Sequence, residues 1–172
     1  EEAKKFDDRR QAEVRYIVAQ LDLAHCLYEE AQTFDEGSDE YNAKLRDAAS
    51  AYEDIHSKYR SQIGGLYART WQGKCYEEQD DIQRALGIYK ELLGHPGTSA
   101  TLVRLQDQVR HFRLICLNHE QRKDYQLVID EAVEWLAAAK GGKKYSQQSL
   151  GIRWEQVLAQ ETIGDDRNLS ET

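Results

Sequence analysis

The feature that most constrains this chain is its proline content, because 172 residues contain a single proline, Pro96. Average usage of about 5% would give roughly eight or nine prolines. Helix interiors exclude proline because it lacks a backbone N–H and clashes with the preceding turn. The scarcity of proline therefore favours an all-α chain and excludes the collagen-like and proline-rich linker classes.

Apolar residues recur at helical spacing along almost the whole sequence, and no strand pattern competes. The first segment shows the pattern well, with Val14, Ile17, Leu21, Ala24 and Tyr28 on one face. The periodicity predicts seven helices joined by short turns, over about 3–33, 39–62, 66–79, 81–94, 99–121, 124–139 and 146–163. The last of these helices is expected to bury one face, with the members Leu150, Trp154, Val157, Leu158 and Thr162.

Turn and capping signals separate these helices. Ser38 is the expected N-cap of the second helix, and Gly64-Gly65 is its expected end. Asp80, followed by Gln83 three residues later, resembles a capping box that opens the fourth helix. The segment Gly94-His95-Pro96-Gly97 predicts that the fourth helix stops there.

Charge and hydropathy narrow the classes of partner. The chain carries 31 acidic and 23 basic residues, a net charge of −8, which disfavours nucleic acid and anionic membrane surfaces as ligands. No stretch approaches the roughly 18 apolar residues that a membrane-spanning helix needs, so membrane insertion is not expected. Three widely spaced cysteines, Cys26, Cys75 and Cys116, do not form a disulfide framework and are expected to be buried thiols. The sequence assigns no cellular compartment.

An internal repeat is clearest over residues 66–97. Gly73 is followed by Tyr76, and then, after a turn, Ala85 is followed by Tyr89. This spacing resembles the tetratricopeptide repeat, a helical hairpin of about 34 residues in which small and aromatic positions let the paired helices pack closely. Pro96 lies one residue before the usual terminal proline of that family.

The resemblance extends, less closely, to both sides of this unit. Downstream, Cys116, the turn at Asp124, Val128 and Ala132 follow the pattern, while His119 replaces an aromatic residue. Upstream, the matching residues are Ala24, Tyr28, Ala48 and Tyr52, with about 11 extra residues between the two halves. A generic helical bundle or another kind of solenoid is the alternative interpretation.

The resemblance implies a right-handed α-solenoid of antiparallel hairpins. The hairpins would cover about 3–62, 66–94 and 99–139, and a closing helix at 146–163 would complete a single domain, 1–163, followed by a polar tail, 164–172. Such arrays bind ligands on a concave surface, and no catalytic residue, metal or cofactor is expected. The family register places these residues on that surface: Tyr67, Thr70, Lys74, Arg110, Arg113, Leu117 and Arg153.

These positions predict a role in protein binding rather than catalysis. Arginine and lysine on one face of an acidic protein favour an acidic or C-terminal peptide segment as the partner. One alternative is a self-association module, in which exposed apolar residues around 14–21 or 154–158 pair between chains. The other is an all-helical enzyme, which would need a deep polar cavity holding His111 or His119 beside a carboxylate.

Overall fold

The computed structural model describes residues 1–170, with side chains through residue 164. The described residues are helical with short connections and contain no strand, which confirms the all-α prediction. They also include a short 3-10 helix, Gly141–Tyr145, that the periodicity does not predict. The α-helices are α1 Glu2–Ala31, α2 Asp39–Lys58, α3 Ile63–Glu77, α4 Ile82–Leu93, α5 Ala100–Asn118, α6 Tyr125–Ala138 and α7 Gln147–Ser170.

Two of the four boundary predictions made from capping and stop signals are confirmed. The Ser38 hydroxyl accepts a hydrogen bond from the Tyr41 N–H at 3.1 Å and caps α2. α4 ends immediately before Gly94, as the glycine and proline segment predicts. The prediction for the start of α4 is wrong by one residue. Asp80 has a positive φ of 59°, and the Asp81 carboxylate accepts from the Arg84 N–H at 3.3 Å instead.

The prediction that Gly64-Gly65 ends a helix is wrong, because both glycines lie in the first turn of α3. A Cβ at position 64 would lie 2.5 Å from the side chain of Ile17. A Cβ at position 65 would overlap the backbone carbonyl of Tyr59. These two glycines therefore permit close approach of neighbouring chain segments rather than a break in the helix.

The described chain forms two compact units, of which the first is Glu1–Ile88. In this unit α2 packs against both α1 and α3, and α1 also contacts α3. The first sixteen residues are exposed, so α1 joins the core only from Ile17 onward. Its buried core consists of Ala24, Tyr28, Ala31, Tyr41, Leu45, Ala48, Ala49, Tyr52, Ile55, Ala68 and Cys75. Cys26, expected to be buried, is exposed.

The second unit begins at Tyr89, and in it α5, α6 and α7 all contact one another. Its buried apolar residues include Leu102, Leu105, Val109, Leu114, Cys116, Leu117, Val128, Ala132, Trp135, Ile152 and Ala159. None of the described helices combines the length and the hydropathy that crossing a bilayer requires.

The buried face of α7 differs from the predicted one. Ser149 and Glu155 are buried on it beside Ile152 and Ala159, and predicted members such as Trp154 are exposed. The two polar residues tolerate burial because their polar atoms are bonded. The Ser149 hydroxyl donates to the Lys144 carbonyl at 2.8 Å, and the Glu155 carboxylate accepts from the Asn118 amide at 2.8 Å.

The segment expected to be a tail is largely helical. α7 continues past Gly164 to Ser170, because a single glycine costs a helix only about 1 kcal/mol and does not end it. The last two residues of the expected tail, 171–172, lie outside the described residues.

Candidate functional site

The second unit contains a cavity of about 420 Å³ in which two predicted groove residues meet. Arg110 and Arg113 both face it from α5, as their spacing of three residues on one helix predicts. Acidic and aromatic side chains of α6 form the opposite wall. The residues that line the cavity are Leu93, Arg110, Arg113, Glu131, Glu134, Trp135 and Ala138.

Arg113 forms an ion pair with Glu131. Its Nε and Nη2 donate to the two carboxylate oxygens of Glu131 at 2.8 to 3.2 Å. Both side chains are mostly buried, with 20% and 24% of their surface exposed. This bidentate pair joins α5 to α6 and neutralises the charge of Arg113.

Arg110 is the more available cation of the two. Its nearest carboxylate is Asp107, at 3.8 Å, and both oxygens of Asp107 already accept closer bonds. Trp135 Nε1 donates to one of them at 2.9 Å and Lys143 Nζ to the other at 2.8 Å. A guanidinium has five N–H donors, so Arg110, one third exposed, keeps donors for a ligand in the cavity.

The first unit contains a smaller cavity, of about 190 Å³, which holds the predicted groove residue Tyr67. Its walls come from α1, α2 and α3. The residues that line it are Leu21, Asp22, His25, Tyr52, Tyr67 and Trp71. On α1, His25 Nε2 lies 3.3 Å from the carboxylate of Glu29, four residues further along the helix.

Lys74, another predicted groove residue, belongs to a half-buried polar network. Its ammonium lies 2.5 Å from the Glu77 carboxylate and 3.3 Å from that of Glu78. Glu78 also accepts hydrogen bonds from the Tyr28 and Tyr41 hydroxyls at 2.6 and 2.9 Å. Lys74 thus ties together carboxylates of its own unit, and a ligand would have to compete with them.

The pKa values of this network follow from burial and from these partners. Burial alone would raise the pKa of Glu78, but the hydrogen bond from Tyr28 and the ion pair with Lys74 outweigh it. The pKa of Glu78 therefore lies below its ordinary value. Burial alone would lower the pKa of Lys74, but its two glutamates hold it above its ordinary value. Burial and the Glu78 carboxylate raise the pKa of Tyr28, so its hydroxyl stays a donor.

The remaining predicted groove residues divide into core and surface. Thr70 and Leu117 are buried, with 0% and 1% of their surface exposed, and the Thr70 hydroxyl donates to the Leu66 carbonyl. Both belong to the core and do not line a groove, which corrects the prediction for these two positions. Arg153 is exposed on α7.

The sequence does not identify Glu131 and Trp135 as residues that line the larger cavity, or Asp107 as the hydrogen-bond acceptor of Trp135. Trp135 lies on α6 and is buried. The sequence does not indicate which residue accepts a hydrogen bond from its indole N–H, because the acceptor, Asp107, lies 28 residues away on another helix.

The described side chains contain no group of three or more His, Cys, Asp or Glu residues arranged to hold a metal ion. No family model, no curated protein and no solved structure matches this chain.

Proposed function

We propose that the chain is a non-catalytic protein-binding scaffold built as a tetratricopeptide-like α-solenoid. Two observations support this architecture. Within each unit, a helix contacts both the next helix and the one after it, as in stacked hairpins. The small residues at the repeat positions, Ala24, Ala48, Ala85 and Ala132, are all buried.

The ligand of this scaffold is an acidic or C-terminal peptide segment, bound in the cavity of the second unit. The observation that carries this proposal is the position of Arg110 in that cavity, with its nearest carboxylate at 3.8 Å. A carboxylate of the ligand would accept a bidentate, charge-assisted pair of bonds from Arg110. Leu93, Trp135 and Ala138 provide apolar surface for the adjoining side chains.

A peptide panel tests this proposal by fluorescence anisotropy. Each peptide is offered with a free C-terminal carboxylate and as the amide, at two salt concentrations. We expect the carboxylate form of a binding peptide to bind at least about tenfold more tightly, and Arg110→Glu to abolish that preference.

Arg104→Glu is the matched control, because Arg104 is exposed on the same helix and does not line the cavity. It makes the same charge change and should leave the affinity within about twofold. Equal affinities of Arg110→Glu and the unchanged protein for every binding peptide would exclude the cavity as the binding site.

Self-association is a second candidate function, favoured by an apolar stripe on α7. Leu150, Trp154 and Val157 occur at helical spacing and are 63%, 61% and 43% exposed. Two copies of the stripe can cover each other in an isologous contact. Sedimentation over a concentration series, with Trp154→Glu as the variant, tests this: a single-chain mass at every concentration excludes it.

A further inference from the structure

The cavity of the first unit is walled by aromatic rings whose mutual geometry is fixed. The ring centroids of His25 and Trp71 are 4.9 Å apart, and the planes are inclined at 63°, so the two rings form a corner. Tyr28 stacks on His25 at 5.6 Å and meets Trp71 edge-on at 5.1 Å. Tyr52 and Tyr67 add two further rings to the walls. Aromatic faces carry a negative quadrupole and attract cations.

The charge around this cavity also favours a cation. Asp22 lies on its rim and is exposed, and Glu29 lies one helical turn beyond His25. Between Arg15 and Lys44 the sequence contains seven Asp and Glu residues and no Lys or Arg. The first unit carries 12 basic and 19 acidic residues, a net charge of −7 of the total of −8. Such a field attracts positive ligands and repels anions.

The size and the polar groups of the cavity indicate which cation fits. Its volume of about 190 Å³ is below the roughly 300–1,000 Å³ of small-molecule pockets, so it suits a head group rather than a whole ligand. The Tyr52 hydroxyl and His25 Nδ1 bond to each other at 3.3 Å. A primary ammonium has three N–H donors to satisfy, whereas a quaternary ammonium has none and gains from contact with rings.

We propose that this cavity binds a quaternary ammonium group. The rings of His25, Tyr67 and Trp71 contact its methyl groups, and Asp22 balances its charge. The group could be supplied by a trimethylated lysine of a partner protein or by a choline head group. This site is in the first unit and does not depend on the proposed function of Arg110.

Nuclear magnetic resonance titration of the full chain tests the proposal. The probes are choline, its neutral carbon isostere 3,3-dimethyl-1-butanol, and a short peptide with trimethyllysine or unmodified lysine, all at matched ionic strength. We expect choline to shift the signals of the lining residues saturably, and the isostere to bind at least about tenfold more weakly. Tighter binding of the trimethyllysine peptide than of choline would identify a modified protein as the source of the quaternary ammonium group. Tighter binding of choline would identify a choline head group as the source.

Two variants with matched controls locate the binding. Asp22→Asn and Tyr67→Leu should each weaken choline binding about three- to tenfold. Asp54→Asn and Tyr16→Leu make the same changes at exposed positions outside the cavity and should leave the affinity unchanged. Circular dichroism establishes that each variant is folded, and Asp22→Asn, at an exposed position, serves if Tyr67→Leu unfolds the protein.

Equal binding of choline and its neutral isostere would overturn the proposal, because the cavity would then be merely apolar. Absence of saturable shifts with choline and with the trimethyllysine peptide would overturn it as well. Arg110→Glu should leave choline binding unchanged, so failure of this site and failure of the peptide cavity are separate results.

Discussion

Both units are built from packed helices, but they differ in net charge. Residues 1–88 have a net charge of −7, while the rest of the chain carries 11 basic and 12 acidic residues, a net charge of −1. In the first unit the Glu78 carboxylate accepts hydrogen bonds from two tyrosine hydroxyls and a glutamine amide and forms an ion pair with Lys74. In the second unit the Asp107 carboxylate accepts a hydrogen bond from an indole N–H and forms an ion pair with a lysine. Glu131 forms an ion pair with Arg113.

This difference accords with the two proposals above, a cationic ligand for the first unit and an acidic peptide for the second. The apolar interior holds the helices in place in both units, and the polar side chains at its margin decide the charge of each cavity. We expect substitutions at tightly packed glycines to distinguish the two units most. Substitutions of their carboxylates, and the response to acid, should distinguish them less, and the reactivity of their buried thiols should distinguish them least.

The largest expected effect comes from the glycines that permit close contact. A Cβ at Gly65 would overlap backbone, whereas a Cβ at Gly151 would overlap the imidazole ring of His111, which can rotate. We expect Gly65→Ala to destabilise the protein by about 3 kcal/mol or more, and Gly151→Ala by about 1–2 kcal/mol. Urea unfolding followed by circular dichroism measures both.

Gly87→Ala is the control for these variants, because Gly87 lies in α4 and a Cβ added there would meet nothing within 4 Å. It should stabilise the helix by about 0.5–1 kcal/mol. If Gly151→Ala costs more than Gly65→Ala, the distinction between rigid backbone and a movable ring is wrong.

A smaller effect is expected from two partly buried carboxylates, Glu78 and Glu131. Glu78→Gln removes a charge that accepts several hydrogen bonds and should cost roughly 2 kcal/mol at neutral pH. Glu131→Gln breaks one partly exposed pair and should cost about 1 kcal/mol or less. Urea unfolding of the two variants beside the unchanged protein measures both differences.

The cost of Glu78→Gln should depend on pH. Because the folded-state pKa of Glu78 lies below its ordinary value, its contribution is fully present above the ordinary value of about 4.3. The contribution disappears as the pH falls through the folded-state pKa. The difference in unfolding free energy between Glu78→Gln and the unchanged protein should therefore vanish in acid. A difference that is constant from pH 7 to pH 3 would contradict this account of the network.

The helices can be predicted because their signals are local. Periodicity, the Ser38 cap and the glycine and proline stop at 94–97 each act within a few residues, and the structure agrees with them. The buried face of α7 cannot be predicted from local signals, because burial of Ser149 and Glu155 depends on partners elsewhere in the chain. The prediction for Gly64-Gly65 fails for the same reason, since what a glycine lies against is not a local property.

The candidate sites show the same division. Arg110 and Arg113 can be placed together because they are three residues apart on one helix. Their acidic partners cannot be assigned, because Glu131 lies on α6 and its pairing with Arg113 is set by how two helices pack. Asp22 and His25 are similarly spaced on α1, but the ring that completes the corner, Trp71, comes from α3.

The smallest expected effect concerns the cysteines and leaves stability unchanged. Cys26 is exposed, whereas Cys75 and Cys116 are buried, and burial raises the pKa of the Cys75 thiol. One thiol per chain should therefore react quickly with a maleimide, and Cys26→Ser should abolish that reaction. Each unit then retains one buried thiol, whose slow labelling reports opening of that unit.

The variant Gly65→Ala, made in the Cys26→Ser background, should accelerate labelling of Cys75 more than labelling of Cys116. Peptide mass spectrometry distinguishes the two labelled thiols. Equal acceleration at both thiols would mean that the two units open together, and the contrast between them would not extend to their dynamics.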